Sequence, residues 1–368
     1  MSRESLRIGG ASAAWGDTVL GAGQLVRAGG LDYLVGDYLA EVTMAILSRM
    51  RARDPQAGFI PDWLDSIKPH LPEIRRQGIR LITNAGGMNP AGLRAAFEAA
   101  AAQAGVSFRV AVIEGDDLAG QQGAMRQAGL REMFTGQEMP PRLASCNAYL
   151  GAGPIAAALA AGAEVVITGR CVDSALVLGP LMHEFGWCAG DHDLLAAGSL
   201  AGHVIECGAQ ATGGLFTDWR AVAGGWDDMG FPVIDCLPDG NFTVTKPQGT
   251  GGMVTCATVA EQIVYEIGDP QSYHLPDVIC DFSGVRLEQV GPDLVRVSGA
   301  RGRAPGPAYK VCATWADGFR LTTTYMIAGF EAAAKGRATA QALVRRTRRI
   351  MAARGFADYD EVSIEVIG

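Results

Sequence analysis

Charged residues make up only 19 % of this 368-residue chain, and no apolar run reaches the ~20 residues that a bilayer-spanning helix needs. A spanning helix is thereby excluded. The first residues also lack the apolar core of a signal peptide, so the sequence reads as cytoplasmic. None of the eight cysteines stands in a CxxC pair, which argues against a zinc ribbon or a thioredoxin-like site. Several lie within apolar runs, as buried free thiols do in a reducing compartment. There is no GxGxxG fingerprint, no Walker A loop and no GxSxG elbow, so the chain shows no dinucleotide signature and no serine nucleophile. A net charge of −8 excludes a nucleic-acid surface, which requires a clustered basic face. The one basic run, Arg345, Arg346, Arg348 and Arg349, reads as the solvated side of an amphipathic helix over 332–354. No internal repeat is visible.

Glycine, in contrast, is abundant at 49 residues, and much of it punctuates strand–helix junctions. Strand-like runs at 6–8, 31–35, 80–83, 108–113 and 165–168 alternate with helical segments over the first two hundred residues. That order predicts a mostly parallel sheet with flanking helices. After Gly198 short β-like segments take over at 241–245, 277–282, 294–297 and 309–314, and one helix over 253–267 interrupts them. The expected organisation is an α/β domain over 1–197 followed by an α+β domain with antiparallel strands over 198–368, or the two packed as one continuous unit. Residues 297–307 read as a mobile loop. Residues 362–367 alternate like a strand, and the chain stops one residue later, as a terminal strand or as a sheet completed by more protein would.

In an open α/β sheet, ligands sit beyond the carboxyl ends of the strands. The run 165–168 is followed by Arg170 and Asp173, with His183 and Glu184 further on, which places candidate chemistry there. Asn84, Gly86 and Gly87 follow the third strand-like run, and Glu114, Asp116 and Asp117 follow the fourth. His203 and Glu206, three residues apart on a helix, share one face and could act as acid and base or as metal ligands. With Asp173 and His183 they would make a mixed oxygen and nitrogen site, so the cofactor is open and a divalent metal is among the options. Lys246, Gly249, Thr250 and Gly251 stand directly before the helix expected from Met253. Lysine, hydroxyl and free amides at a helix start suit a phosphate or carboxylate, while a tight turn that needs glycine suits the same residues.

Several of these segments together resemble one family. They are LVGDYLAE (34–41), NAGGMNP (84–90), EGDD (114–117), NAYLG (147–151), TGR (168–170), HEFGW (183–187), ECGAQATGG (206–214), TKPQGTGG (245–252), FSGVR (282–286) and VSGARG (297–302). In this order they are similar to the acyclic terpene utilisation family, AtuA, over roughly residues 6 to 320. The resemblance implies a part in bacterial breakdown of citronellol- and geraniol-type compounds through branched acyl-CoA thioesters. It also implies a small ferredoxin-like domain on the same or a separate chain, which agrees with the abrupt end. Cys171 stands where a small or apolar residue is common, and Cys146 precedes the NAYLG segment; both depart from the pattern beside the expected site.

The expectation is therefore an α/β enzyme of lyase or hydratase type acting on a carboxylate or an acyl-CoA thioester. Glu206, His183 or Asp173 would move a proton next to a carbonyl, and Arg170 and Lys246 would hold the oxygen or acid group. Asn84, Gly86, Gly87, Asp116, Gly249, Thr250 and Gly251 would complete the binding surface. The expected partners are the small molecule and a second copy or a ferredoxin-like domain, with no nucleic acid and no membrane. A non-catalytic subunit that binds a ligand or a partner is the competing reading, and a nicotinamide oxidoreductase ranks third.

Overall fold

Val165–Thr168 is buried at every position, and a strand with no wet face belongs inside a sheet covered on both sides. The computed structural model, which describes Arg3–Ile367, places it in a sheet of nine strands. In chain order these are β1 (Leu6–Gly10), β2 (Tyr33–Gly36), β3 (Arg80–Thr83), β4 (Val110–Ile113), β5 (Val165–Thr168), β6 (Val233–Cys236), β7 (Phe242–Thr245), β8 (Arg286–Gly291) and β9 (Leu294–Ser298). In space they run β8-β9-β7-β6-β1-β2-β3-β5-β4. The half from β1 to β4 is parallel throughout. The half from β6 to β8 is antiparallel and joins the first through the β1–β6 pair, with Ile8 opposite Ile234. The mixed α/β architecture is therefore as expected, and one continuous sheet spans position 198.

Alternate residues of the central strands enter two cores. Tyr33, Val35, Ile82 and Val166 face one, while Leu34, Leu81, Val165 and Ile167 face the other. The first core is closed by helices Ala175–Phe185 and His192–Glu206, the second by helices Leu20–Ala28, Glu41–Arg53 and Pro90–Gln103. Pro90 opens its helix and Asn89 caps it, accepting a hydrogen bond from Gly92 N.

Several local expectations needed correction. The helix expected over 253–267 is Cys256–Val264, because Thr255 and Thr258 form a capping box that fixes its start. The 297–307 segment is not one loose loop: Arg301–Arg303 pairs antiparallel with Ile279–Asp281. Residues 362–367 have the alternation of a strand but no ladder partner among the described residues. The segment expected at 309–314 is strand Val311–Thr314, while its partner Ser145–Ala148 and strands β6 and β8 were not expected. The chain divides into two compact units, one ending at Ala316 and one beginning at Asp317. The second unit contains helix Ala332–Ala353, none of whose residues is buried. No helix among the described residues is long and apolar enough to cross a membrane.

One close approach sets the geometry that matters below. A Cβ built on Gly202 would lie 2.7 Å from both Cα and the carbonyl oxygen of Ser174. Glycine there lets helix His192–Glu206 press against the loop that follows β5, which brings Glu206 to Asp173. Gly202→Ala would gain ~1 kcal/mol in helix propensity. The backbone contact should outweigh that gain, for a net loss of about 1–3 kcal/mol. Urea unfolding of the two proteins compares them directly, and equal midpoints would show that the helix can shift at no cost.

Candidate active site at the carboxyl edge of the sheet

Four of the parallel strands deliver a polar residue of the cluster at the carboxyl end: Asp37 after β2, Asn84 after β3, Asp116 after β4, and Arg170 with Asp173 after β5. Glu206, the last residue of helix His192–Glu206, reaches the same place from one face of the sheet. Hydrogen bonds and an ion pair join Asn84 to Asp37 and Arg170 to Asp116 and Asp173, and close approach of carboxylates brings in Glu206. Asn84 Nδ2 donates to Asp37 Oδ1 at 2.6 Å, and Asn84 Oδ1 accepts from Tyr38 N at 2.9 Å. Asp116 Oδ2 accepts from Arg170 N at 2.9 Å and from Asn147 Nδ2 at 2.8 Å. Asp37, Asp173 and Glu206 each present an oxygen within 4.8 Å of the others.

Arg170 is the centre of this arrangement. It is 3 % exposed, and its planar guanidinium lies 4.1 Å from the centre of the Tyr149 ring. Nη1 donates to Leu39 O at 2.5 Å and approaches Asp173 Oδ1 at 3.5 Å, while Nε has no hydrogen-bond partner. Burial works against its charge, but Asp173, Tyr149 and Asp37 outweigh it and hold the guanidinium ionised. Tyr149 is fixed in turn by Glu41, which accepts a hydrogen bond from its hydroxyl and also pairs with Lys310 at 3.2 Å.

The carboxylates feel the opposite pressure. Burial pushes Asp37 well above the usual carboxylate range, with the charges of Asp173 and Glu206 adding to it. Burial likewise raises Asp173 to about 7, against the pull of Arg170 and with the help of Glu206. Asp116 is raised by burial despite its two donors. His203 Nδ1 meets Glu206 Oε1 at 2.8 Å in a setting where the histidine is 2 % exposed. Burial opposes the imidazolium, yet Glu206 and the end of helix Cys256–Val264 raise the His203 pKa. Burial drives the Cys171 thiol far up, so it stays protonated and is a poor nucleophile.

A hollow of about 160 Å³ lies beside the cluster, lined by Arg51, Gly87, Glu114, Asp116, Asp117 and Asn147. Gly86 holds the loop beside it close to β5, since a Cβ there would strike the Thr168 carbonyl. With its walls of carboxylates, the hollow would repel a phosphate.

The profile of acyclic terpene utilisation family protein AtuA matches residues 6–368. The chain belongs to the AtuA family. No curated protein and no solved structure matches it. The AtuA segments recognised in the sequence supply most of this site: LVGDYLAE brings Asp37 and Glu41, NAGGMNP brings Asn84, EGDD brings Asp116, and TGR brings Arg170.

Two AtuA segments do not join the cluster. His183 sits on the last turn of helix Ala175–Phe185, which starts beside Asp173 and runs away from it. Its neighbour Glu184 accepts from Tyr33 Oη at 2.7 Å and pairs with Arg80 at 3.1 Å, and both partners are the first residues of their strands. His183 therefore lies toward the opposite edge of the sheet. Lys246 Nζ is spent on Thr250 O at 2.9 Å and Asp293 Oδ2 at 3.2 Å. The glycine loop behind it is knitted down by Gly251 N to Asp228 O at 2.7 Å and Gly230 N to Gly251 O at 3.0 Å. Its amides do not meet a helix start, because the capped helix begins only at Cys256.

Asp37, Asn147 and Tyr149 were not singled out from sequence. The signal for Asp37 was present, since it follows Gly36 at the end of a buried strand just as Arg170 follows Gly169. Asn147 and Tyr149 stood within the NAYLG segment of the family resemblance, but no local pattern gave them a place in the site, because strand Ser145–Ala148 pairs with Val311–Thr314, far away in sequence.

Lys246 now has a structural role with a measurable size. Its side chain is 5 % exposed, so Lys246→Ala removes a buried cation and leaves the Thr250 carbonyl and Asp293 without it. The expected loss is about 1–3 kcal/mol of stability. Thermal unfolding tests this, and an unchanged melting temperature would return Lys246 to the pool of free anion-binding groups.

Proposed function

We propose that this AtuA protein is an enzyme of lyase or hydratase type that moves a proton next to the carbonyl of a carboxylate or an acyl thioester. One observation carries the reading: a buried arginine with an unsatisfied Nε–H pairs with Asp173, one of three carboxylates whose oxygens gather beyond the ends of parallel strands. Removing a proton beside a carbonyl places negative charge on the carbonyl oxygen. A charged donor already fixed in a water-poor site stabilises that charge without having to reorganise. Arg170 is such a donor, held by Leu39, Tyr149 and the Asp116 contact to its own backbone. The proton goes to, or comes from, the carboxylate cluster. Glu206, oriented by His203, and Asp173, facing Arg170, are the members closest to that role. Branched acyl groups of the acyclic terpene kind supply the substrate class, in line with the family.

Solvent exchange tests this without knowledge of the product. In deuterated water, deuterium should enter the carbon next to the carbonyl of a branched acyl thioester or its free acid, read by mass spectrometry. Arg170→Met and Glu206→Gln should each slow exchange by roughly 10²–10³, the loss seen when one oxyanion donor is removed. Exchange at the wild-type rate in both variants, or none in the wild type across acids and thioesters, would end the proposal.

A second reading, that the chain also works as a complex-forming subunit, has one observation in its favour. Phe319, Leu321, Met326 and Phe330 are each more than four-fifths exposed within twelve residues. Apolar side chains this dense on a surface mark association, with a second copy or a small partner domain. Light scattering at micromolar concentration should give a mass above that of one chain, and a clean monomer would count against it.

A further inference from the structure

Asp37, Asp173 and Glu206 come from three separate segments, yet their oxygens gather within 4.8 Å. Three carboxylates and one guanidinium, all ionised, leave a formal charge of −2. Hydrogen bonds do not absorb it. Asp173 Oδ1 is sealed from solvent and accepts no hydrogen bond. Asp37 is 6 % exposed, and the two hydrogen bonds reaching its side chain both end on Oδ1, which leaves Oδ2 without a donor. His203 occupies Oε1 of Glu206 and leaves Oε2 free. Arg170, 3.5 Å from Asp173 Oδ1, is the one cation beside them, and three carboxylate oxygens this close repel one another, so a second positive group among them would relieve the repulsion.

We infer that Asp37, Asp173 and Glu206 bind one divalent, oxygen-preferring cation of the Mg²⁺ or Mn²⁺ class. The donors are all carboxylate oxygens, the set that hard cations prefer over zinc or copper. A 2+ ion cancels the residual charge. Two of the three ligands are already held from behind, Asp37 by Asn84 and Glu206 by His203. Such outer hydrogen bonds are what orient ligands in metal sites. Three protein oxygens leave the remaining positions of an octahedral ion for water and substrate. Binding of the cation stands on the cluster alone. Its part in catalysis rests on the proton-transfer reading, in which the ion and Arg170 would grip the oxygens of one carboxylate or thioester together.

The test is Mn²⁺ binding to the chelator-treated full-length chain, followed by calorimetry and by loss of the free-ion signal in electron paramagnetic resonance. One ion per chain is expected. Asp37→Asn and Glu206→Gln should each weaken binding at least about tenfold. Asp117→Asn, in the neighbouring hollow, should leave it unchanged. If the cluster variants do not fold, the wild type still decides: the bound Mn²⁺ should show no coupling to a histidine nitrogen, because Nδ1 of His203 is committed to Glu206. Free Mn²⁺ at millimolar protein excess, equal weakening by Asp117→Asn, or a directly bound histidine nitrogen would each overturn the inference. Tight binding without deuterium exchange would keep the cation and remove the proposed reaction; exchange that survives chelation, with no binding, would do the reverse.

Discussion

A guanidinium buried at the end of a parallel strand dictates most of what surrounds it. Arg170 cannot shed its proton, so the fold has to answer its charge in a place that water barely reaches. It does so with an aromatic face, a carbonyl and a nearby carboxylate, each drawn from a different segment. Burial, and after it the mutual repulsion of the carboxylates that collect there, makes Asp37 and Asp173 hold protons more tightly than usual. Take away the arginine, and the cluster loses the reason for its own ionisation. The electrostatics of the site and the packing around it are thus one problem with one solution.

How much of this was legible in the sequence follows from how far each cause acts along the chain. The parallel half was readable because each strand carries its own evidence: an apolar β-branched run, a glycine, then a polar residue, all within eight positions. Arg170, Asp173, Asn84 and Asp116 were found by that local rule. Glu206 was found by a different local rule, the three-residue spacing to His203 on one helix face. The misreadings have the opposite character. His183 follows Asp173 by only ten residues, but most of a helix lies between them, and the eight steps from Ala175 to His183 carry the chain ~12 Å along the axis. Nearness in sequence did not mean nearness in space. Lys246 looked free because its partner, Asp293, lies on a turn between two strands that no local pattern connects to it. The antiparallel strands β6 and β8 were missed for the same reason: their ladders are made with segments that only tertiary structure brings alongside.

Two carboxylate-rich places meet at Asp116, the cluster around Arg170 and the hollow lined by Glu114 and Asp117, and together they limit what can approach. Asp116 is shared, accepting from the backbone of Arg170 and from Asn147, which lines the hollow. Arg51 is the basic side chain lining that hollow, and it stands 3.9 Å from Asp117. A ligand with several phosphates would therefore have to keep them outside, with only its acyl or acid end reaching Arg170. Selectivity at this edge is then a matter of which part of a molecule enters.

The position of β1 has a consequence for how the protein is made. Of the nine strands of this sheet, the earliest in the chain is the one between its two halves, and its antiparallel partner β6 lies more than two hundred residues downstream. Pairing so distant in sequence is slow, since a long loop must close before any contact repays it. For the whole of that interval one edge of β1 is an open template, flanked by apolar residues and available to any other unpaired strand. The short length of β1 and the glycines at its end, Gly9 and Gly10, keep that template small. Aggregation during synthesis, rather than instability of the finished sheet, is where such a topology is most exposed.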